Sequence, residues 1–160
     1  MAAVRPWISG RLLDIGAGNN RLVREYGDGV GVDVHDFGGD VLLLADTTTL
    51  PFPAGTFDTV TFVASLNHIP RRNAVLRESH RVLCDGGRIV VTMIDPITSA
   101  IGHHVWWYSE DKHRGGMQEG EVYGFWPAAM RELLKSAGFE VVDERRFLYG
   151  MNRLYVGCKA

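Results

Sequence analysis

An aspartate followed by Gly-x-Gly, in the run Asp14-Ile15-Gly16-Ala17-Gly18, stands directly after the apolar pair Leu12-Leu13. A short buried strand ending this way delivers a backbone turn to the carboxyl edge of an α/β sheet, where ligands bind. Glycine suits such a turn because it tolerates positive φ. A side chain at either glycine is expected to fill space that a ligand needs. The third glycine of the dinucleotide fingerprint would fall at position 21, where Arg21 stands instead, so a nicotinamide dinucleotide is disfavoured. No Gly-Lys-Ser/Thr follows, as a phosphate-binding P-loop would require. Asp14 would sit badly beside a pyrophosphate and well beside a cationic ligand.

Other reactive types fall at the ends of later apolar runs. Asp33 follows Gly29-Val30-Gly31-Val32, and Asp46 follows Val41-Leu42-Leu43-Leu44-Ala45. His68 comes shortly after the run that ends in Phe62-Val63, at a strand end that lines the expected cleft. Imidazole titrates near neutral pH, so His68 is the candidate general base. The segment 95–125 gathers His103, Trp106, Trp107, Tyr108 and His113, with Trp126 just beyond. Aromatic walls and titratable rings of this kind suit a small substrate. Filling the core or a dimer seam is an equal alternative for the tryptophans. The spacing of His103, His104 and His113 matches no standard zinc ligand set, and no metal is expected. The two cysteines, Cys84 and Cys158, form no disulfide framework and are expected to be small buried apolar residues.

These groups must be positioned by elements that alternate between buried runs and amphipathic stretches, the pattern of a mostly parallel sheet. Strands are expected over 12–15, 29–34, 41–46, 56–63 and 88–94. A short helix is expected over 19–26, with Asn19 or Asn20 as its N-cap. Between the second and third strands lie only about six residues, where a parallel crossover ordinarily needs a dozen or more. The expectation there is an irregular loop and a poorly formed edge strand. A helix over 71–84 would bury Val75, Leu76, Val82 and Leu83 and stop at Gly86-Gly87. Pro127 opens a last helix with Met130, Leu133, Leu134 and Ala137 on its buried face and Gly138 at its end. Strands over 139–147 and 153–159 close the chain as an antiparallel pair.

With 160 residues the chain is read as one domain spanning 1–160. Its 17 basic and 19 acidic residues carry no nucleic-acid footprint. There is no long apolar run and no leader, so a cytoplasmic protein without membrane contact is expected.

The combination resembles the class I S-adenosylmethionine-dependent methyltransferases. Asp14-x-Gly16-x-Gly18 is similar to their first motif, and Leu50-Pro51-Phe52-Pro53-Ala54-Gly55-Thr56-Phe57-Asp58-Thr59-Val60 to the signature of the ubiquinone- and menaquinone-biosynthesis type. Leu66-Asn67-His68, Arg77-Glu78, Arg81-Val82-Leu83-Cys84-Asp85-Gly86-Gly87 and Gly138-Phe139-Glu140-Val141 follow in the same order. The resemblance implies a Rossmann-like three-layer α/β fold and S-adenosylmethionine as cofactor, with S-adenosylhomocysteine (SAH) as product. It further implies that Asp33 holds the ribose hydroxyls and Asp46 lies beside the adenine amino group. Asp14, Gly16, Ala17, Gly18, Val34, Thr47, Phe62 and Val63 would complete the cofactor pocket. The acceptor would be a small molecule received under 95–125, by oxygen, nitrogen or carbon. Asp58, Glu78 and Arg81 are assigned to architecture. The helix that the family places after strand two is missing, which implies weaker cofactor binding or cover from another subunit, a homodimer included. A non-catalytic adenosyl-binding or regulatory protein, or one subunit of a larger methyltransferase assembly, is the alternative reading.

Overall fold

A computed structural model describes residues 1–94, 119–122 and 124–160. Seven strands form one sheet: β1 (Leu12–Ile15), β2 (Gly29–Asp33), β3 (Leu42–Leu43), β4 (Phe57–Val63), β5 (Leu83–Ile94), β6 (Phe139–Phe147) and β7 (Asn152–Lys159), in the order β3-β2-β1-β4-β5-β7-β6. The pairs from β3 to β5 are parallel, and β7 runs antiparallel between β5 and β6. The order reverses at β1, between β2 and β4, so the topological switch lies where the Gly-x-Gly turn emerges.

Alternate strand residues face opposite layers. Leu13, Ile15, Val60, Phe62, Ile89 and Val91 pack with Val75 and Leu76 of α2 (Arg72–Val82) and with Met130 and Leu134 of α3 (Pro127–Ser136). Leu12, Val90, Leu154 and Val156 turn the other way, toward Leu22 and Val23 of α1 (Arg21–Tyr26) and Val4. Among the described residues this second layer holds little more than α1 and the 3₁₀ turn Arg5–Trp7.

The link from β2 to β3 has no helix, as the short spacing implied. Leu42 and Leu43 pair with Val32 and Asp33 in parallel, and both are exposed. Val34 and Phe37 are exposed beside them in sequence.

Three expectations are corrected. The helix over 71–84 ends at Val82, because Leu83 turns extended and pairs with Phe57. Gly86 and Gly87 therefore stop no helix. They belong to residues 84–87, which loop out of β5 opposite Asp58 before Arg88 rejoins Thr59, and Gly86 takes φ +74° there. The cysteines are half-buried rather than buried. Cys84 Sγ donates to Asp58 Oδ1 at 3.4 Å, and desolvation followed by that carboxylate push its thiol pKa up. Finally, α1 starts at Arg21, and Asn20 precedes it in the left-handed region (φ 60°) without a side-chain cap. Its amide is used elsewhere, donating to the Asp40 carbonyl at 2.5 Å and tying the β2–β3 loop to α1.

Candidate functional site

Strands β1, β2 and β4 bring their carboxyl ends together, and the turn after β1 is fastened to both neighbours. Gly16 N and Ala17 N both donate to the Val32 carbonyl, at 2.9 and 3.1 Å. Ser65 Oγ, just beyond β4, donates to the Ile15 carbonyl at 2.6 Å. Gly16 (φ +73°) has no room for a side chain, since a Cβ would lie 2.4 Å from that of Ser65. The missing side chain of Gly16 makes room for Ser65. At Gly18 (φ +55°) a Cβ would meet no atom of the described residues within 4 Å, so the turn faces open space among them.

Two carboxylates stand behind the turn. Asp33 Oδ2 accepts from Gly18 N at 2.8 Å, and Oδ1 accepts from His35 N at 3.0 Å. One residue thereby holds the turn after β1 against the loop after β2, while keeping acceptor capacity on each oxygen. Asp14 is buried in β1, and its Oδ1 accepts from Thr61 Oγ1 at 2.6 Å. Burial pushes its pKa up to about 6, the Thr61 hydroxyl opposes the shift, and the negative charge of Asp33 adds to it. A cation at this edge would relieve both the desolvation and the like-charge repulsion. The donor set fits an adenosyl cofactor carrying a diol and a positive centre.

The remaining expected cofactor residues fare unevenly. Ala17 and Val63 are half-buried and Val34 is exposed, all at the same edge of the sheet. Thr47 is buried. Phe62 is corrected to a core residue, with no accessible surface to offer a ligand. Asp46 is engaged locally: its oxygens accept from Thr48 N and Thr48 Oγ1, both at 2.8 Å, and it pairs with Arg71. The Thr48 backbone bond, then that hydroxyl and Arg71, hold its carboxyl below the usual range against desolvation. An adenine amino group would share this carboxylate with three donors already present.

His68 ends the 3₁₀ turn Leu66–His68 beyond β4. Its Nε2 lies 3.0 Å from Asn67 Nδ2, and its Nδ1 lies 3.4 Å from Glu121 Oε2. Glu121 arrives on a strap, residues 119–122, fixed by Val122 N donating to the Asn67 carbonyl at 3.1 Å and by Arg72 donating to the Gly120 carbonyl. The candidate substrate residues His103, Trp106, Trp107, Tyr108 and His113 lie outside the described residues. Among the described residues no group of His, Cys, Asp or Glu is placed to hold a metal ion, and no helix is long and apolar enough to cross a membrane.

Sequence reasoning missed Thr61, Ser65, Asn67 and Glu121. Thr61 alone left a signal, since a hydroxyl in a strand beside a buried aspartate is its natural donor once the β1–β4 register is known.

Residues 13–91 match a family model described as a methyltransferase domain. The ubiquinone/menaquinone biosynthesis C-methyltransferase UbiE of Citrobacter koseri is 25% identical over 95% of this chain and 72% of its own length. Among solved structures, a SAM-dependent methyltransferase of Thermotoga maritima, described as a possible histamine N-methyltransferase, superposes with a TM-score of 0.76. It is 22% identical and the match covers 99% of this chain and 87% of that one. The trans-methyltransferase CalH, in complex with SAH, gives a TM-score of 0.68 at 20% identity, covering 94% of this chain and 51% of that one. Both structural likenesses concern the fold.

Proposed function

We propose that the chain, whose residues 13–91 match a methyltransferase-domain model and whose fold is shared with S-adenosylmethionine-dependent methyltransferases, transfers a methyl group from S-adenosylmethionine to a small-molecule acceptor bound beside the turn after β1. The observation that supports this most is the open space before Gly18, backed by Asp33 and by the buried Asp14. When bound, the cofactor supplies a methyl group already activated by its sulfonium. The residues then have to bind and orient. Gly18 offers close backbone approach, the Asp33 carboxylate accepts from the vicinal ribose hydroxyls, and Asp14 supplies negative potential from beneath. Holding nucleophile and methyl group in near-attack geometry can be worth roughly 7–11 kcal/mol. A triad or metal cluster is not required, and a base is needed only where the acceptor must lose a proton. His68 is the residue proposed for that task.

Calorimetric titration of the purified chain with SAH is expected to show one site of micromolar affinity. Titration with NADH in parallel is expected to show none. No SAH binding would overturn the reading.

A second reading concerns how the adenosine side is covered. Val34, Phe37, Leu42 and Leu43 are exposed where no helix separates β2 from β3. Exposed apolar residues along an edge strand favour association. A second copy of the chain is the proposed cover. Light scattering is expected to show a dimer whose fraction rises when SAH is added. A strict monomer at high concentration, with or without SAH, would exclude it.

A further inference from the structure

Glu121 is a carboxylate whose side chain keeps only 3% of its exposure, 53 residues away in sequence from the histidine it faces. A carboxylate so buried is retained only with partners. The three side chains constrain one another. An amide nitrogen only donates, so Asn67 Nδ2 at 3.0 Å requires Nε2 of His68 to be an unprotonated acceptor. An ionised carboxylate only accepts, so Nδ1 must then carry the proton toward Glu121. One neutral tautomer satisfies both contacts. The opposite tautomer would set an Nε2 proton against an amide donor, and an Nδ1 lone pair against a carboxylate.

We propose that Glu121 is a positioning residue that fixes His68 with its proton on Nδ1, leaving Nε2 as the proton-accepting atom of the cleft, with the Asn67 amide as its gate. The purpose assigned to this arrangement rests on the methyl-transfer reading; the arrangement itself does not. Once Nε2 takes a proton it becomes a donor, and Asn67 must turn its amide so that Oδ1 faces the ring. The cation that results lies beside Glu121, which stabilises it. In the reaction, the acceptor's bond to hydrogen breaks and the proton passes to Nε2. The electron pair left on the acceptor forms the bond to the methyl carbon, and the carbon–sulfur pair departs with the sulfur. The contact of 3.4 Å between Nδ1 and Glu121 is long for a neutral ring and is expected to tighten when the ring is charged.

The arrangement is held from several sides. The strap bearing Glu121 and Glu119 is tied down through Val122 to the Asn67 carbonyl and through Arg72 to Gly120. Arg72 also lies over the Phe125 ring, 5.3 Å from its centroid. The charged groups on the described elements around His68 are Glu119 and Glu121 from the strap, Arg71 and Arg72 from the start of α2, and Asp46 through its pair with Arg71. Arg72 lies close enough to Glu121 to interact electrostatically, which sets a cation beside that carboxylate.

Two-bond proton–nitrogen correlation spectra of the uniformly ¹⁵N-labelled full chain read the tautomer directly and need no acceptor. Neutral His68 is expected as the Nδ1–H form. In Glu121→Gln the group facing Nδ1 can donate as well as accept, so the Nε2–H form is expected to appear beside the Nδ1–H form. Glu121→Asp, which again only accepts, is expected to return the ring to the Nδ1–H form. An Nε2–H tautomer in the wild type would overturn the proposal, and so would the same tautomer population in the wild type and Glu121→Gln. If Glu121→Gln fails to fold, the wild-type tautomer and Glu121→Asp decide alone. SAH binding is followed in the same samples. Its absence from the wild type would sink the methyl-transfer reading, whereas a wrong tautomer with SAH bound would sink only this one.

Discussion

Asp14→Asn is expected to stabilise the cofactor-free protein by up to about 3 kcal/mol at neutral pH while weakening its affinity for S-adenosylmethionine. Burial raises the Asp14 pKa from 3.8 to about 6, so the folded state favours the neutral acid. A shift of about two units corresponds to roughly 3 kcal/mol. The direction follows from proton linkage. Between the unfolded and folded pKa values the native state binds more protons than the unfolded chain, so stability falls as pH rises through that window. Above about pH 6 the whole penalty is in place. Asparagine has nearly the same shape, carries no charge and keeps an oxygen for the Thr61 hydroxyl. It should therefore remove the penalty without opening a cavity. Binding moves the opposite way, because the charge that is costly in the empty site attracts a sulfonium and an ammonium. Functional sites commonly hold such a conflict between stability and ligand affinity. Urea denaturation of wild type and variant across pH 4 to 7, read together with calorimetry, separates the two effects. Equal slopes of stability against pH in both proteins would show that Asp14 does not carry the charge penalty.

The parts of this design that could be read from residue order are those with local causes. Leu12–Ile15 is a buried run between Arg11 and Gly16, and Phe57–Val63 is buried over most of its length. The α3 helix is bracketed by Pro127 at its start and Gly138 beyond its end, with Met130 and Leu134 one turn apart. The cramped spacing between β2 and β3 announced a loop and a poorly formed edge strand because no helix fits there, and the strand expected over 41–46 shrinks to Leu42–Leu43. The misreadings have long-range causes. Leu83 continues the apolar face of α2 by spacing, yet pairing with Phe57 draws it into β5. Phe62 and Val63 are neighbours in sequence but face opposite layers, so only one can look away from the α2–α3 core. The hydroxyl of Thr61 meets Asp14 only through the register that sets Asp14 beside it. Glu121 reaches His68 from another part of the chain, and no periodicity encodes that contact. Gly16 shows the same limit: its spacing says nothing of Ser65, whose Cβ stands where a side chain at Gly16 would go.

Asp33→Ala is expected to raise the dissociation constant for SAH by roughly tenfold to a hundredfold. Hydrogen bonds to a charged group are worth about 1.5–3 kcal/mol each, and each 1.4 kcal/mol is about a factor of ten in affinity. The loss has two sources, because Asp33 does two things. It presents acceptor oxygens to the proposed ribose site, and it holds Gly18 N at 2.8 Å and His35 N at 3.0 Å, which fixes the turn the ligand must approach. Asp33→Asn divides them. The amide oxygen can still accept from Gly18 N, so the turn stays pinned, but the charge and one acceptor oxygen are gone. Its affinity should fall between those of the wild type and the alanine variant. The asparagine variant has a second signature. Asp33 is one cause of the raised Asp14 pKa, so removing its charge should bring the Asp14 titration back toward the usual carboxylate range. Carbon-detected NMR of the Asp14 carboxyl measures that shift without any ligand. Unchanged SAH affinity in Asp33→Ala would remove Asp33 from the cofactor site. A lowered Asp14 pKa in Asp33→Asn alongside unchanged affinity would mean that the two carboxylates are coupled for stability alone.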